Sequence, residues 1–535
     1  MAWVFSALAC LLVLFVLLAP IRVGALAPKA FARIPVEALF GVFLILVLPA
    51  RARRVGAVLA GVGLGVLAIL KIMDMGFLAV LARPFHPVLD WISIEAGLDF
   101  VNASVGRAGA IGAVIGAVVL AVGLVVVMTV AMLRVTRLVV EHDAVATASV
   151  SVLAAVWTVS AVLGAQLVPG VEVASKSSAK VSYYHARQIR AGLQDQKKFA
   201  KEAGADAFRD VPDERLLTAL RGKDVLLAFV ESYGRDAVED PEFAPRISAV
   251  LDAGDRRLRA KGYASRSAFL TSSTAGGGSW LAHATTLSGV WIDNQQRYRS
   301  LVSSDRMTLN RAFQRADWRT VGVVPGITKT WPEGAYFGYD QIYTSTDLGY
   351  RGPKFSWATM PDQYTLSAFE RLERAKKDRG PLMAEIPLLS SHAPWASIPR
   401  FIGWNEVGDG SVYNSMPGAG NLPWPERSKV RAQYRSSIEY TLNTLISYVE
   451  TYGDDDLVLV FLGDHQPAPL ITGEGAGRDV PITILARDPA VLDRISGWGW
   501  QDGLKPGPQA PVWRMNAFRD RFLTAFSPEA RGQGG

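Results

Sequence analysis

The chain has 535 residues, half of them apolar, with 56 Lys and Arg against 49 Asp and Glu and a formal net charge of +7. Before about residue 170 it is built of long uncharged runs of Val, Ala, Leu and Gly; after it, charges, Trp, Tyr and Pro appear at globular density, which excludes both a single soluble domain and a wholly intramembrane protein. The single cysteine, Cys10, excludes an intrachain disulfide framework or a multi-Cys zinc module, and the absence of a Lys/Arg stripe interleaved with aromatics excludes a nucleic-acid footprint.

A bilayer core of about 30 Å takes roughly 20 apolar residues of helix. Five stretches come near this: Trp3 to Arg22, Val36 to Ala50, Val55 to Val80, Ala108 to Leu133 and Ala144 to Val168. The first lacks a basic leader region and four more follow it, so residues 1–170 read as a polytopic anchor rather than a cleaved signal. Arg51, Arg53 and Arg54 precede the third stretch, and Arg134 and Arg137 follow the fourth, which marks both short loops as cytoplasmic. Arg22, Lys29 and Arg33 weigh the other way. An odd number of spans then leaves the C-terminal domain extracytoplasmic and the chain a multi-pass protein of the cell membrane. Lys71 and Asp74, one turn apart, read first as a snorkelling interfacial pair and second as an intramembrane ion pair. The segment Arg83 to Arg107 suits an interfacial helix or external loop, and residues 171–221 begin with a basic, helical connector carrying Lys176, Lys180, Arg187, Arg190, Lys197 and Lys198. The one low-complexity tract is the Gly-rich tail at Gln533 to Gly535.

From residue 222 to 530 short apolar runs alternate with amphipathic stretches. Asp224 to Val230, Thr320 to Val324, Leu382 to Leu389, Leu457 to Leu462 and Ile482 to Ala486 read as strands, and Arg246 to Ala260, Asp362 to Lys377 and Lys429 to Thr451 as helices. This alternation predicts an α/β domain with a mostly parallel sheet, whose ligands gather beyond the carboxyl ends of the strands. Glu231 follows the first strand, and Asp464 and His465 follow a late one, giving an O, O, N set suited to a divalent cation. A Glu after a strand is usually a cap or a solvated turn; Asp-His between Gly463 and Pro467 is more specific. Between them, Thr271-Ser-Ser-Thr-Ala-Gly-Gly-Gly-Ser279 ends in a hydroxyl at the start of a helical stretch. Ser279 there is either a cap or a metal-activated nucleophile beside helix amides that favour an anion. The run lacks the Gly-Lys-Ser/Thr ending of a phosphate-binding loop and the Gly-x-Ser-x-Gly of a nucleophile elbow. Thr271, Ser273 and Thr274 are rival hydroxyls, and His283, one turn after Ser279, reads as a packing residue before a hydrogen-bonding one.

Taken together, Val230-Glu231-Ser-Tyr, Thr274-Ala-Gly-Gly-Gly-Ser279-Trp280, Ser391-His392-Ala-Pro394 and Gly463-Asp464-His465 resemble the sulfatase and alkaline-phosphatase superfamily. With the apolar N-terminal half, the likeness narrows to membrane-anchored lipoteichoic acid synthases and phosphoethanolamine transferases. The resemblance implies a sulfatase-like catalytic domain in which Glu231, Asp464, His465 and Ser279 hold the metal, Ser279 is the nucleophile where the synthases use Thr, and His392 contacts the substrate phosphate. Trp331 matches a substrate-binding Trp, while Glu333 stands where the synthases carry an Arg for glycerol phosphate, which speaks against glycerol-phosphate polymerisation. Cys10 cannot supply the disulfides usual in the phosphoethanolamine transferases, and Ser279-Trp-Leu-Ala-His283 lacks the formylglycine motif of sulfatases proper.

The function so implied is a metal-dependent extracytoplasmic transferase. It moves a phospho-alcohol group, phosphoglycerol or phosphoethanolamine, from a membrane lipid donor to a cell-envelope glycan or lipid acceptor through a covalent Ser279 intermediate. The cofactor is one or more divalent cations, with manganese favoured over magnesium or zinc on the resemblance. The nearest rival is a phosphoric or sulfuric ester hydrolase using the same residues; a glycan- or lipid-binding protein and a transporter are more distant ones.

Overall fold

The computed structural model describes residues 2–355, 358–395, 398–416 and 426–527. The Gly-rich tail and the last residues of the domain expected over 222–530 lie outside the described residues. The chain forms two compact units, Met1–Asp195 and Gln196–Gly535.

The first unit is helical, with α1 (Ala2–Leu18), α2 (Val36–Val47), α3 (Ala50–Leu81), α4 (Trp91–Glu141) and α5 (Asp143–Leu163), and the basic helix α6 (Ser177–Gly204) begins within it. Three helical stretches among the described residues are long and apolar enough to cross a membrane: Ala50–Leu81, Gly106–Glu141 and Asp143–Leu163. The first two of the five expected spans form shorter apolar helices. For the second, the physical reason is proline. Pro49 forces Leu48 into an extended conformation and ends α2, and the 12 residues of α2 reach only about 18 Å. The stretch Arg83 to Arg107 is helical from Trp91, and Gly106, at φ 76° and ψ 172°, breaks α4 where the apolar part begins. Helices α3 and α4 pack backbone to backbone. A Cβ at Gly61 would lie 2.4 Å from the Thr129 Cα, and one at Gly65 would lie 2.6 Å from the Val125 Cα. A small residue every fourth position thus makes the contact.

Lys71 and Asp74 are both buried, which overturns the snorkelling reading. The Lys71 ammonium donates to the carbonyls of Val16 (2.7 Å) and Ala19 (2.8 Å) and to Ser178 Oγ (3.0 Å), so it caps the C-terminal end of α1. Asp74 accepts from the Phe85 N–H (3.0 Å) and faces His185 Nε2 of α6 (3.0 Å), whose Nδ1 meets Gln188 Oε1 (3.0 Å). Each charge therefore has partners from other elements of its own unit, as burial requires.

The second unit is an α/β domain around a nine-stranded sheet. Its strands are β1 (Asp224–Val230), β2 (Ala264–Thr271), β3 (Arg319–Val324), β4 (Gln341–Thr344), β5 (Leu382–Leu388), β6 (Leu457–Gly463), β7 (Asp479–Ala486), β8 (Gln501–Asp502) and β9 (Val512–Arg514). The order is β8-β2-β7-β6-β1-β5-β3-β4, with β9 also beside β2. Strands β6, β1, β5, β3 and β4 run parallel. Strand β7, expected within the parallel set, is antiparallel to both β6 and β2. Two reversals point β2 the same way as β6, so the ends of β1, β2, β5 and β6 share one edge. All seven residues of β1 are buried. Leu226, Ala228 and Val230 enter one core with helices α7 (Ala244–Ala260) and α10 (Arg427–Tyr452), while Val225, Leu227 and Phe229 enter the other with α8 (Ser279–Ser288). The period-2 alternation of a strand covered on both faces thus builds two apolar layers. Helix α9 (Asp362–Phe369) continues as a π-helical turn, Glu370–Arg374, over most of the helix expected there.

The hydrogen bond to Asp74 raises the His185 pKa against the effect of burial. The stabilisation from this pair is therefore complete below about pH 6.5, the value of a free imidazole, and declines as pH climbs through the raised folded value. Thermal denaturation of the detergent-solubilised full chain from pH 5.5 to 8.5 should show this decline, and Asp74→Asn should flatten it.

Candidate functional site

The site is assembled where β1 and β6 end. These neighbours are in register through Gly463 and Val230, so Glu231 and Asp464 leave the sheet at the same level. A Cβ at Gly463 would lie 1.9 Å from the Tyr233 carbonyl oxygen, and only glycine permits so close an approach. Ser232 turns the chain after Glu231 at φ 58°, a left-handed conformation uncommon for serine. Its N–H donates to Asp464 Oδ1 (2.8 Å), as does the His465 N–H (2.7 Å). The hydroxyls of Ser391 and Ser272 donate to the carbonyls of Glu231 and Asp464, each at 2.6 Å.

The glycine run brings the hydroxyl in. Ala275 pairs with Gln466, and the Gly276 N–H donates to the Gln466 carbonyl (2.8 Å), which ties the run to the loop after β6. Gly276, Gly277 and Gly278 then turn at φ 72°, 151° and 81°, and α8 starts at Ser279. Ser279 Oγ donates to Glu231 Oε2 (2.9 Å) and lies 3.2 Å from His465 Nε2. His465 Nε2 is 3.3 Å from Glu231 Oε1 and 3.8 Å from Asp464 Oδ2.

These four residues fit a divalent cation. The ligand atoms of Glu231, Asp464 and His465 all lie within 4.8 Å of one another, and the three residues are buried. Asp464 Oδ1 is used by two backbone N–H groups, whereas Oδ2 is buried and has no hydrogen-bond partner. An ionisable oxygen left open beside an imidazole, a second carboxylate and a hydroxyl offers the donors a hard or borderline cation takes.

Electrostatics point the same way. Burial opposes ionisation of Glu231, but the neighbouring His392 and His465 outweigh it and hold the carboxyl well below its usual range. Burial and the Glu231 charge raise Asp464 to about 6. For His465, burial favours the neutral ring, but Asp464 and Glu231 overcome it and raise the imidazole to about 9. Protons thus occupy positions that a cation would displace.

Of the rival hydroxyls, Thr271 donates to Asp479 (2.7 Å) and Ser273 accepts from Thr285 (2.9 Å). Thr274 precedes the glycines, its Oγ1 buried and unpartnered. His392 follows β5, is half-buried, and its Nδ1 contacts the Ala393 carbonyl; it is the largest influence opposing burial at Glu231. Trp331 packs in an aromatic cluster, with ring centroids 5.6 Å from Phe337 and 6.1 Å from Tyr339, and Glu333 is exposed. His283 is not only packed: its ring faces Glu385 and Asp464 as well as Phe229. Sequence reasoning passed over Glu385, although a lone acid inside the apolar strand Leu-Met-Ala-Glu-Ile-Pro-Leu was a visible signal.

No protein-family model and no curated protein sequence matches the chain. Solved structures do. The lipoteichoic acid synthase LtaP from Listeria monocytogenes aligns at 14% identity over 63% of this chain and 79% of its own, with a TM-score of 0.40. The Streptococcus pyogenes phosphoglycerol transferase GacH, solved with sn-glycerol-1-phosphate, aligns at 13% identity over 63% and 91%, with a TM-score of 0.36. The C-terminal periplasmic domain of EptC from Escherichia coli aligns at 12% identity over 50% and 72%, with a TM-score of 0.34.

Two outcomes follow from the geometry. A cation takes only the unprotonated imidazole, so near pH 7 its binding releases about one proton. Manganese affinity should rise roughly tenfold per pH unit between about 6 and about 9, and calorimetry in buffers of different ionisation enthalpy checks both slope and proton count. Gly463→Ala should destabilise the domain by about 1–3 kcal/mol and weaken metal binding at the same time, as chemical denaturation and a manganese titration would record.

Proposed function

We propose that this protein is a metal-dependent extracytoplasmic transferase that moves a phospho-alcohol group from a membrane lipid to a cell-envelope acceptor through a covalent intermediate on Ser279. The observation that carries the reading is the Ser279 hydroxyl held between Glu231 and His465, beside the open oxygen of Asp464. Glu231, Asp464, His465 and Ser279 would hold a divalent cation, manganese favoured, which would supply Lewis acidity at the reacting centre.

Ser279 Oγ attacks the phosphorus of a phosphodiester, and Glu231 Oε2, at 2.9 Å, is the nearest acceptor for its proton. The Ser279 O–P bond forms, the bond from phosphorus to the lipid oxygen breaks, and that oxygen takes up the proton Ser279 gave, so the lipid leaves as its alcohol, diacylglycerol. An acceptor hydroxyl then attacks the same phosphorus, its proton passing by way of His392 to Ser279 Oγ as the Ser279 O–P bond breaks. The amide end of α8 and its dipole favour the negative charge of the phosphoryl group.

The apolar helices tether the catalytic unit to the surface on which a lipid donor resides, which raises its effective concentration. The orientation does not require the two short helices. With Arg51, Arg53 and Arg54 at the start of α3 and Arg134 and Arg137 near the end of α4 on the cytoplasmic side, the three long stretches alone carry the C-terminal unit outward. Glu333 in place of an Arg favours transfer of a single group over polymerisation.

Purified full-length protein with manganese should release diacylglycerol from fluorescent phosphatidylglycerol or phosphatidylethanolamine. Ser279→Ala should lower the rate by at least roughly 10³-fold, and mass spectrometry of the quenched enzyme should place the phospho-alcohol adduct on the Ser279 peptide. An adduct on Thr274 would overturn the assignment. Release of free phospho-alcohol with no acceptor product, across envelope glycans and lipids, would make the protein a hydrolase.

A further inference from the structure

Glu385 has no place in the reaction above, yet it is a costly residue to keep. It sits in the middle of β5, 3% exposed, beside Leu227 of β1. A carboxylate there must be paired or be strongly destabilising. Its Oε2 accepts from the Tyr339 hydroxyl and from Asn310 Nδ2 (3.2 Å), and Asn310 is itself fully buried. Its other oxygen, Oε1, lies 3.5 Å from His283 Nδ1. The His283 ring stacks on Phe229 with centroids 3.8 Å apart and planes 17° from parallel. This leaves His283 Nε2 directed at Asp464 Oδ2, 3.9 Å away, and both atoms are buried with no hydrogen-bond partner. A polar string, Tyr339 and Asn310 to Glu385 to His283 to Asp464, thus runs through an apolar core and stops at the one open oxygen of the cation site.

We infer that His283 is a positioning residue for the metal site: Glu385 and the Phe229 ring fix its plane, and its Nε2–H donates to Asp464 Oδ2, aiming that carboxylate at the cation. Asp464 Oδ1 is already pinned by the Ser232 and His465 N–H groups, so the second oxygen can swing only about that anchor; two imidazoles face it, His465 Nε2 at 3.8 Å from within the ligand set and His283 Nε2 at 3.9 Å from outside it. Closing the present gap to hydrogen-bond length takes about 1 Å of movement. Groups that orient a metal-binding carboxylate in this way contribute roughly 10- to 100-fold to metal affinity without touching the ion. The location of His283 one turn after Ser279 places the orienting residue and the nucleophile on the same face of α8.

The inference rests on the cation site proposed above, and the test separates the two. Full-length protein is titrated with Mn2+ and followed by electron paramagnetic resonance, with pulsed measurement of nitrogen couplings on the bound ion. His283→Ala should weaken Mn2+ binding about 10- to 100-fold, His283→Gln should restore part of it through its amide N–H, and Glu385→Gln should weaken it by a smaller factor. The nitrogen coupling should remain that of one imidazole, His465, in every variant. Thermal unfolding of the metal-free proteins identifies a variant that fails to fold, in which case Glu385→Gln, isosteric with the native residue, carries the test. Mn2+ affinity within twofold of the parent in both His283→Ala and Glu385→Gln would reduce His283 to a packing residue and overturn the inference. Loss of a second nitrogen coupling in His283→Ala would also overturn it, by making His283 a ligand. Failure of the unmutated protein to bind Mn2+, Mg2+ or Zn2+ would instead remove the cation site itself, and the positioning role with it.

Discussion

The site depends on one constraint: two parallel strands must end side by side with their following loops in contact. The Ser232 amide reaching Asp464 Oδ1 at 2.8 Å is the bond that expresses it, and the glycine at 463 is what permits it. Were those loops apart, Glu231 and the Asp464-His465 pair would be ordinary acids and a histidine at the rim of a sheet. Held together, they are three buried ionisable groups, with charges that raise one carboxyl and depress another. Tension of that kind is stable only when paid for by a bound proton or a bound cation.

Much of this arrangement was legible in the chain. Continuous apolar runs such as Asp224 to Val230 mark strands buried on both faces, and the residues following them are displayed by construction. That is why Glu231, Asp464, His465 and Ser279 could be named from spacing and motif. Less legible was β2, Ala264 to Thr271, whose opening Ala-Ser-Arg-Ser-Ala gives little strand signal. Yet β2 delivers the glycine run to the site. The antiparallel sense of β7 was also hidden, because direction is set by connections and pairing partners rather than by the composition of the strand. Glu385 and Ser232 contribute through contacts across the fold, which spacing along the chain does not reveal.

The membrane unit teaches a similar lesson about polar residues in apolar surroundings. Lys71 and Asp74, one turn apart, invite pairing with each other, yet each is satisfied elsewhere: the lysine by the carbonyl end of α1, the aspartate by His185. Helix ends carry unmet carbonyls, and one ammonium group can satisfy several of them at once. Helix length was likewise decided by Pro49, not by hydropathy, which explains why the second apolar stretch is only 12 residues of helix.

The register between β1 and β6 has a consequence of its own. Seven consecutive residue pairs, from Asp224 with Leu457 to Val230 with Gly463, act as a caliper for groups beyond their ends. A slip of one residue would rotate an entire ladder of apolar side chains onto the wrong face, so the spacing between the acid of one strand and the acid of the next is guarded by the whole core. Chemistry at the rim is thereby calibrated by hydrophobic matching at a distance, and changes deep in either layer become a means of tuning it.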